Sequence, residues 1–205
     1  MPSSIRCALA GGSTGEWGDS FRSVFGEFTA PTRTDMAIDS REVLGKKDQV
    51  TELRTRVAST GHALGRPLKL LVGKPGLDGH SNGAEVIAVS ARHVGFDVIY
   101  SGIRLSPEEI VTSALEEDAD VIGASVLSGS HVELAGRIME LLKEAGAEDR
   151  IALVIGGIIP PTDFEPLMEL GVKRVFTPSD YQLIDIMEAI AEIVEAGAAE
   201  ALPAG

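Results

Sequence analysis

From residue 68 onward, short runs of aliphatic and β-branched residues alternate regularly with segments of helical periodicity. That alternation is the signature of repeated βα units wound around a parallel sheet. Residues 68–73, 97–100, 121–124, 151–155 and 174–176 supply five candidate strands. Each is nearly continuously apolar, as a strand must be when helices cover both faces of its sheet.

Helix start signals punctuate the runs. Ser106-Pro107-Glu108-Glu109 combines a capping serine, a first-turn proline and a glutamate three residues on, and Ser130 to Glu133 and Thr162 to Glu165 repeat the capping-box spacing. Behind the first two, Ile110, Val111, Ala114 and Leu115, then Leu134, Ile138, Leu141 and Leu142, share single faces at helical spacing. A last helix is expected from near Asp180, presenting Ile184, Met187, Ile190, Ala191 and Val194, with residues 196–205 as a frayed tail. The resulting fold class is α/β, a flavodoxin-like (Rossmann-like) five-stranded parallel sheet flanked by helices. In such open sheets ligands bind beyond the carboxyl ends of the strands.

Residues 67–198 therefore form the expected domain and 199–205 its tail, while residues 1–66 read as an N-terminal helical segment and connector. Thr14 is placed to cap a short helix burying Trp17, Phe21, Val24 and Phe25; Val50, Leu53 and Val57 mark another helix, and residues 29–40 look extended. So few large apolar side chains in about 65 residues would not close an independent core, so this segment is expected to lean on something else.

A net charge of -13 argues against nucleic acid or an anionic membrane surface as partner, since either needs a basic patch. The single cysteine, Cys7, rules out an intrachain disulfide or a multi-cysteine metal site and makes a reducing cytoplasm the default location. No stretch approaches the ~20 apolar residues of a membrane span.

The loop after the first strand run carries the chemistry. Lys74, Asp78 and His80 stand there among glycines and a proline, at the edge where such a sheet holds its ligand. A neutral imidazole can bind a transition metal through one nitrogen while a carboxylate accepts a hydrogen bond from the other. Asp78 is the candidate partner, with Lys74 adjusting its charge. Asp-x-His alone also fits a decorated turn, and a zinc site would want three or four protein ligands. A cofactor bringing its own equatorial ligands would need only one.

Asp78-x-His80-x-x-Gly83, then Ser125-x-Leu127, then Gly156-Gly157 resembles the three-part signature of cobalamin-binding domains in adenosylcobalamin-dependent mutases and related methyltransferases. The wording of residues 73–85, with Gly102-Ile103-Arg104-Leu105 and Leu127-Ser128-Gly129-Ser130-His131, is most similar to the carboxyl-terminal part of ethylmalonyl-CoA mutases and less so to methylmalonyl-CoA mutases. Residues 15–27 resemble the end of the acyl-CoA-binding portion, and residues 50–66 the connector.

The resemblance implies that His80 is the axial cobalt ligand in place of the cofactor's own base, with Asp78 and Lys74 behind it. The freed nucleotide tail would enter beside Gly83, against Ser125, Leu127, Gly156 and Gly157. The implied cofactor is adenosylcobalamin, and the implied partner is a TIM-barrel acyl-CoA mutase subunit or domain, because the chain has no room for eight βα units. Catalytic residues toward the substrate are then absent from this chain. A corrinoid carrier for methyl transfer, a cobalamin-sensing module and, last, a receiver domain are the alternatives. His131 and Thr177 fall near the same edge, each read as an exposed loop residue.

Overall fold

The structure is a computed structural model that describes residues 2–26, 47–77, 79–127, 129–180 and 182–201. It divides into two compact units, Met1–Ile38 and Asp39–Gly205.

In the first unit, helix α1 (Pro2–Leu9) precedes α2 (Thr14–Phe25). The cap of α2 is Ser13 rather than Thr14, which is already the first helical residue. Ser13 Oγ accepts from the Glu16 N–H at 3.2 Å, and Glu16 Oε2 accepts from the Ser13 N–H at 2.9 Å. These hydrogen bonds, the backbone one foremost, hold the Glu16 carboxyl below its ordinary pKa. Trp17, Phe21, Val24 and Phe25 are not buried as expected but exposed, with Phe25 at 79 %. Two short helices cannot enclose a core, so the aromatic rings stack on one another at helical spacing, Trp17 on Phe21 at 4.4 Å and Phe21 on Phe25 at 5.9 Å between centroids. Residues 29–40 lie outside the described residues.

The second unit is the anticipated α/β body. It opens with α3 (Lys47–Leu64), followed by β1 (Lys69–Pro75), α4 (Asn82–His93), β2 (Asp97–Leu105), α5 (Pro107–Glu116), β3 (Val121–Val126), α6 (His131–Glu144), β4 (Ala152–Gly157), α7 (Phe164–Glu169), β5 (Arg174–Phe176) and α8 (Leu183–Ala201). All strand pairs are parallel and their order is β2-β1-β3-β4-β5. The direction of winding reverses between β1 and β3, which makes the carboxyl ends of those strands the switch point of the sheet.

Alternation along the strands splits the core in two. Leu70 and Val72 join Leu53 and Val57 of α3, Ala84 and Ala88 of α4, and Met187 and Ile190 of α8. Leu71, on the opposite face, joins Ile110 of α5, Ile138 of α6 and Leu167 of α7. The connector helix thus leans on α8, and Arg56 ties the two by donating to both carboxylate oxygens of Glu195, at 2.8 and 3.3 Å.

Local signals succeed and fail for identifiable reasons. The Ser106 capping box forms, with Glu109 N–H donating to Ser106 Oγ at 3.1 Å and Ser106 N–H to Glu109 Oε2 at 2.7 Å. At Ser130 it does not, because φ of 59° puts the residue in the left-handed region, from which its hydroxyl makes no cap hydrogen bond. Thr162 does not cap either, since it lies inside a 3₁₀ turn, Pro161–Asp163, that leads into α7. The last helix starts at Leu183, not Asp180, whose carboxylate closes a turn by accepting from the Thr177 N–H at 2.7 Å and Oγ at 3.1 Å. Nor does that helix end at 196; the alanine-rich sequence carries it to Ala201. Among the described residues no helix is long and apolar enough to cross a membrane.

At the edge opposite the switch point, Asp120 precedes β3 and is nearly buried. Arg66 forks onto it at 2.6 and 3.0 Å, and the Lys69 N–H donates to it at 2.7 Å. That hydrogen-bonded pairing raises the Arg66 pKa above its ordinary value. Asp120→Ala would take the acceptor from the half-buried Lys69 N–H and the ion pair from the partly exposed Arg66, so urea unfolding should show a loss of about 1–2 kcal/mol. Asp120→Asn, which keeps an acceptor for Lys69, should lose less.

Candidate functional site

At the carboxyl edge of the sheet, a cavity of about 470 Å³ opens between the strand ends and helices α4 and α8. Its walls include Val72 of β1, Gly83 of α4, Ser125 of β3, Gly157 of β4 and Ile190 of α8, with Leu127 just beyond β3. Five residues singled out from the sequence, Gly83, Ser125, Leu127, Gly156 and Gly157, line this one space although they come from three separate segments of chain.

The glycines differ in what they do. A Cβ on Gly83 would meet nothing within 4 Å, so it would project into open space at the cavity wall. At Gly156 an added Cβ would find only ordinary contact with Phe176, at 3.9 Å. At Gly157 it would overlap the Val126 carbonyl oxygen and lie 2.9 Å from its carbon, so this glycine answers to the neighbouring strand. Gly157 is thus required by the neighbouring strand as well as standing at the cavity wall.

Lys74 is not on the loop but within β1, and it is wholly buried. Its ammonium donates to Ser125 Oγ at 3.2 Å and to the Ser125 carbonyl at 3.3 Å. Ser125 is therefore shared: its hydroxyl lines the cavity and accepts from the strand that leads into the histidine loop. An amine donor occupies one lone pair of that hydroxyl, leaving its own O–H to donate elsewhere. His80 is exposed on the loop between β1 and α4, and Asp78 lies outside the described residues.

His131 is not the exposed loop residue expected but the first residue of α6, and only 5 % exposed. Its Nε2 lies 3.2 Å from Oδ2 of Asp163, an ion pair when the ring is protonated, while its Nδ1 is buried with no hydrogen-bond partner among the described residues. Thr177 is half-buried and lines the cavity. Sequence reasoning missed Leu183 and Ile186 of α8 as cavity residues, because helical periodicity marks an inward face without saying whether protein or a ligand fills the space before it. It also gave no role to Arg104, whose φ is 61°.

An open parallel sheet with an apolar cavity at its switch point and an imidazole on the adjoining loop defines a cofactor-binding α/β domain. Residues 68–196 match the family model described as the B12 binding domain, and the chain belongs to that family. It is 50 % identical over 195 residues to the ethylmalonyl-CoA mutase of Methylorubrum extorquens, covering 95 % of this chain and 27 % of that protein. With the methylmalonyl-CoA mutase of Rhizobium meliloti the identity is 36 %, over 95 % of this chain and 27 % of the relative. The chain thus spans about a quarter of the length of the curated relatives it matches. Among solved structures, a cobalamin-binding protein from Desulfitobacterium hafniense superposes with a TM-score of 0.54 at 18 % identity, covering 76 % of each chain, which shows the shared fold.

Proposed function

We propose that this chain holds adenosylcobalamin with His80 as axial ligand to cobalt and the cofactor's nucleotide tail in the cavity, and that it serves as the cobalamin-binding portion of an acyl-CoA mutase. The observation that carries the reading is the cavity itself: a mainly apolar space, walled by Gly83, Ser125 and Gly156, that adjoins the loop bearing His80. A tail entering there needs a gap in the first turn of α4, and Gly83 leaves one. It also needs a hydrogen-bond donor inside, and the hydroxyl of Ser125 has its proton to offer.

When bound, adenosylcobalamin supplies radical initiation, which no amino-acid side chain offers. His80 would bind as the neutral imidazole, its second nitrogen donating to Asp78, which fixes the tautomer and raises ligand basicity. Lys74 would hold the far end of that arrangement against Ser125. Leu127 and the aliphatic side chains of α8 would keep water from the tail. No residue here is assigned to the acyl group; that role belongs to a barrel portion like those that would occupy the remaining length of the mutase relatives. The exposed aromatic ladder of α2 is the surface suited to such a portion, and the higher identity to ethylmalonyl-CoA mutase favours the ethylmalonyl substrate.

The test is the absorption spectrum of the chain mixed with adenosylcobalamin. The native protein should give a base-off spectrum with a histidine ligand on cobalt, and His80→Ala should lose the histidine signature. An unchanged spectrum in the variant would refute the ligand assignment. Acyl-CoA isomerisation on adding a barrel subunit would support the mutase role, whereas methyl transfer with a small-molecule methyltransferase would overturn it.

A further inference from the structure

We propose that Arg104 is a cofactor-binding residue whose guanidinium donates hydrogen bonds to amide carbonyls on the rim of the corrin ring; the assignment rests on the cobalamin reading above. Its backbone is the first indication. Arg104 has φ of 61° and follows Gly102 at 97°, so the end of β2 is bent out of regular strand geometry by a residue for which that conformation is unfavourable. The β1–β2 register shifts there twice, between Val72 and Gly73 and between Gly73 and Pro75. Strained backbone of this kind persists where surrounding contacts hold it and is concentrated at functional sites.

The bend is fastened to the histidine loop. Leu105 pairs with Pro75, and its carbonyl accepts from the Gly76 N–H at 2.9 Å. The Arg104 side chain then lies against that loop. A Cβ on Gly79 would sit 3.3 Å from Nη2, 3.8 Å from Nε and 3.9 Å from Cζ, so the guanidinium rests beside the one residue that separates Asp78 from His80. A bulkier side chain at 79 would displace it.

Arg56 is committed to Glu195, Arg66 to Asp120, Arg137 to Glu108 and Glu140, and Arg150 to Asp118, and of the arginines without such a carboxylate Arg104 is placed against the histidine loop. Arg104 is exposed, and among the described residues no hydrogen bond or ion pair occupies its guanidinium. Its five N–H donors are thus presented at the ligand edge, next to the proposed axial ligand. A corrin ring held by His80 carries acetamide and propionamide arms around its rim, whose carbonyl oxygens suit a planar donor fork. The nucleotide tail, by contrast, leaves toward α4 and α8.

The experiment titrates the full chain with cobalamin and with diaquocobinamide, which keeps the ring amides but lacks the tail, following absorbance. Arg104→Gly removes the side chain at a backbone angle that glycine adopts without strain, so folding is preserved. It should weaken both ligands by about tenfold, with Arg104→Lys intermediate and the histidine-on spectrum retained at saturation. Undiminished affinity in Arg104→Gly, where the native chain binds with histidine on, would overturn the Arg104 assignment alone. Loss confined to cobalamin would mean contact with the tail, and loss of the histidine-on spectrum would mean that Arg104 orders the loop; either overturns the rim contact. Failure of the native chain to bind cobalamin would instead remove the cofactor reading and this inference with it.

Discussion

Gly157→Ala should destabilise the second unit by about 4 kcal/mol or more, a large share of the roughly 5–15 kcal/mol that holds a typical domain folded. Gly157 pairs with Val126 at the last rung of the β3–β4 ladder, and its missing side chain is what lets the two backbones meet there. A methyl group would overlap the Val126 carbonyl oxygen. Neither backbone can step aside cheaply, because Val126 is itself buried at 1 % exposure and the chain continues at once into the loop carrying Leu127. The adjacent substitution supplies the control. At Gly156 the added methyl would make ordinary contact with Phe176, so Gly156→Ala should stay within about 1 kcal/mol of the native protein. Urea unfolding of the two variants checks the contrast. Equal stability would mean that the β3–β4 rung can open, and the structural reading of Gly157 would fall.

The five strands were legible because each is an apolar run long enough to be seen, and the face of α8 because Ile184, Met187, Ile190, Ala191 and Val194 repeat at helical spacing and are all buried. The strand ends are less legible: β1 continues through the buried Lys74 to Pro75 and β2 through Gly102 to Leu105. These ends carry charge, glycine and bent backbone, which mask strand character in sequence while serving the ligand edge.

Capping motifs were legible only where backbone geometry agreed. Ser106 and Ser130 look alike in sequence, but a left-handed φ separates them, and no spacing rule encodes that angle. Gly83, Gly156 and Gly157 likewise share a letter and a signature. Which one faces open space and which is pressed against a neighbouring strand depends on atoms brought in from β3 and β5. The burial of His131 was hidden for the same reason, since its covering residue Asp163 lies beyond the next strand.

Gly83→Leu is the complementary experiment, expected to spare the fold and to impair the cofactor site. Position 83 is the second residue of α4, exposed, with open space where a side chain would begin. Leucine favours helix over glycine by several tenths of a kcal/mol, so the ligand-free chain should unfold at the same urea concentration or slightly above it. Its side chain would, however, project at the wall of a cavity of only about 470 Å³. A nucleotide tail entering past α4 would have to displace it or sit higher in the opening, and overpacking of this size weakens binding by about a hundredfold at the upper end. Gly83→Ala should lie between. Diaquocobinamide, with no tail to insert, should bind the leucine variant as well as it binds the native chain, so the ratio of the two affinities isolates the tail from the ring. Native-like cobalamin affinity in Gly83→Leu would show that the tail does not pass this point and would return the cavity between α4 and α8 to a ligand of some other shape.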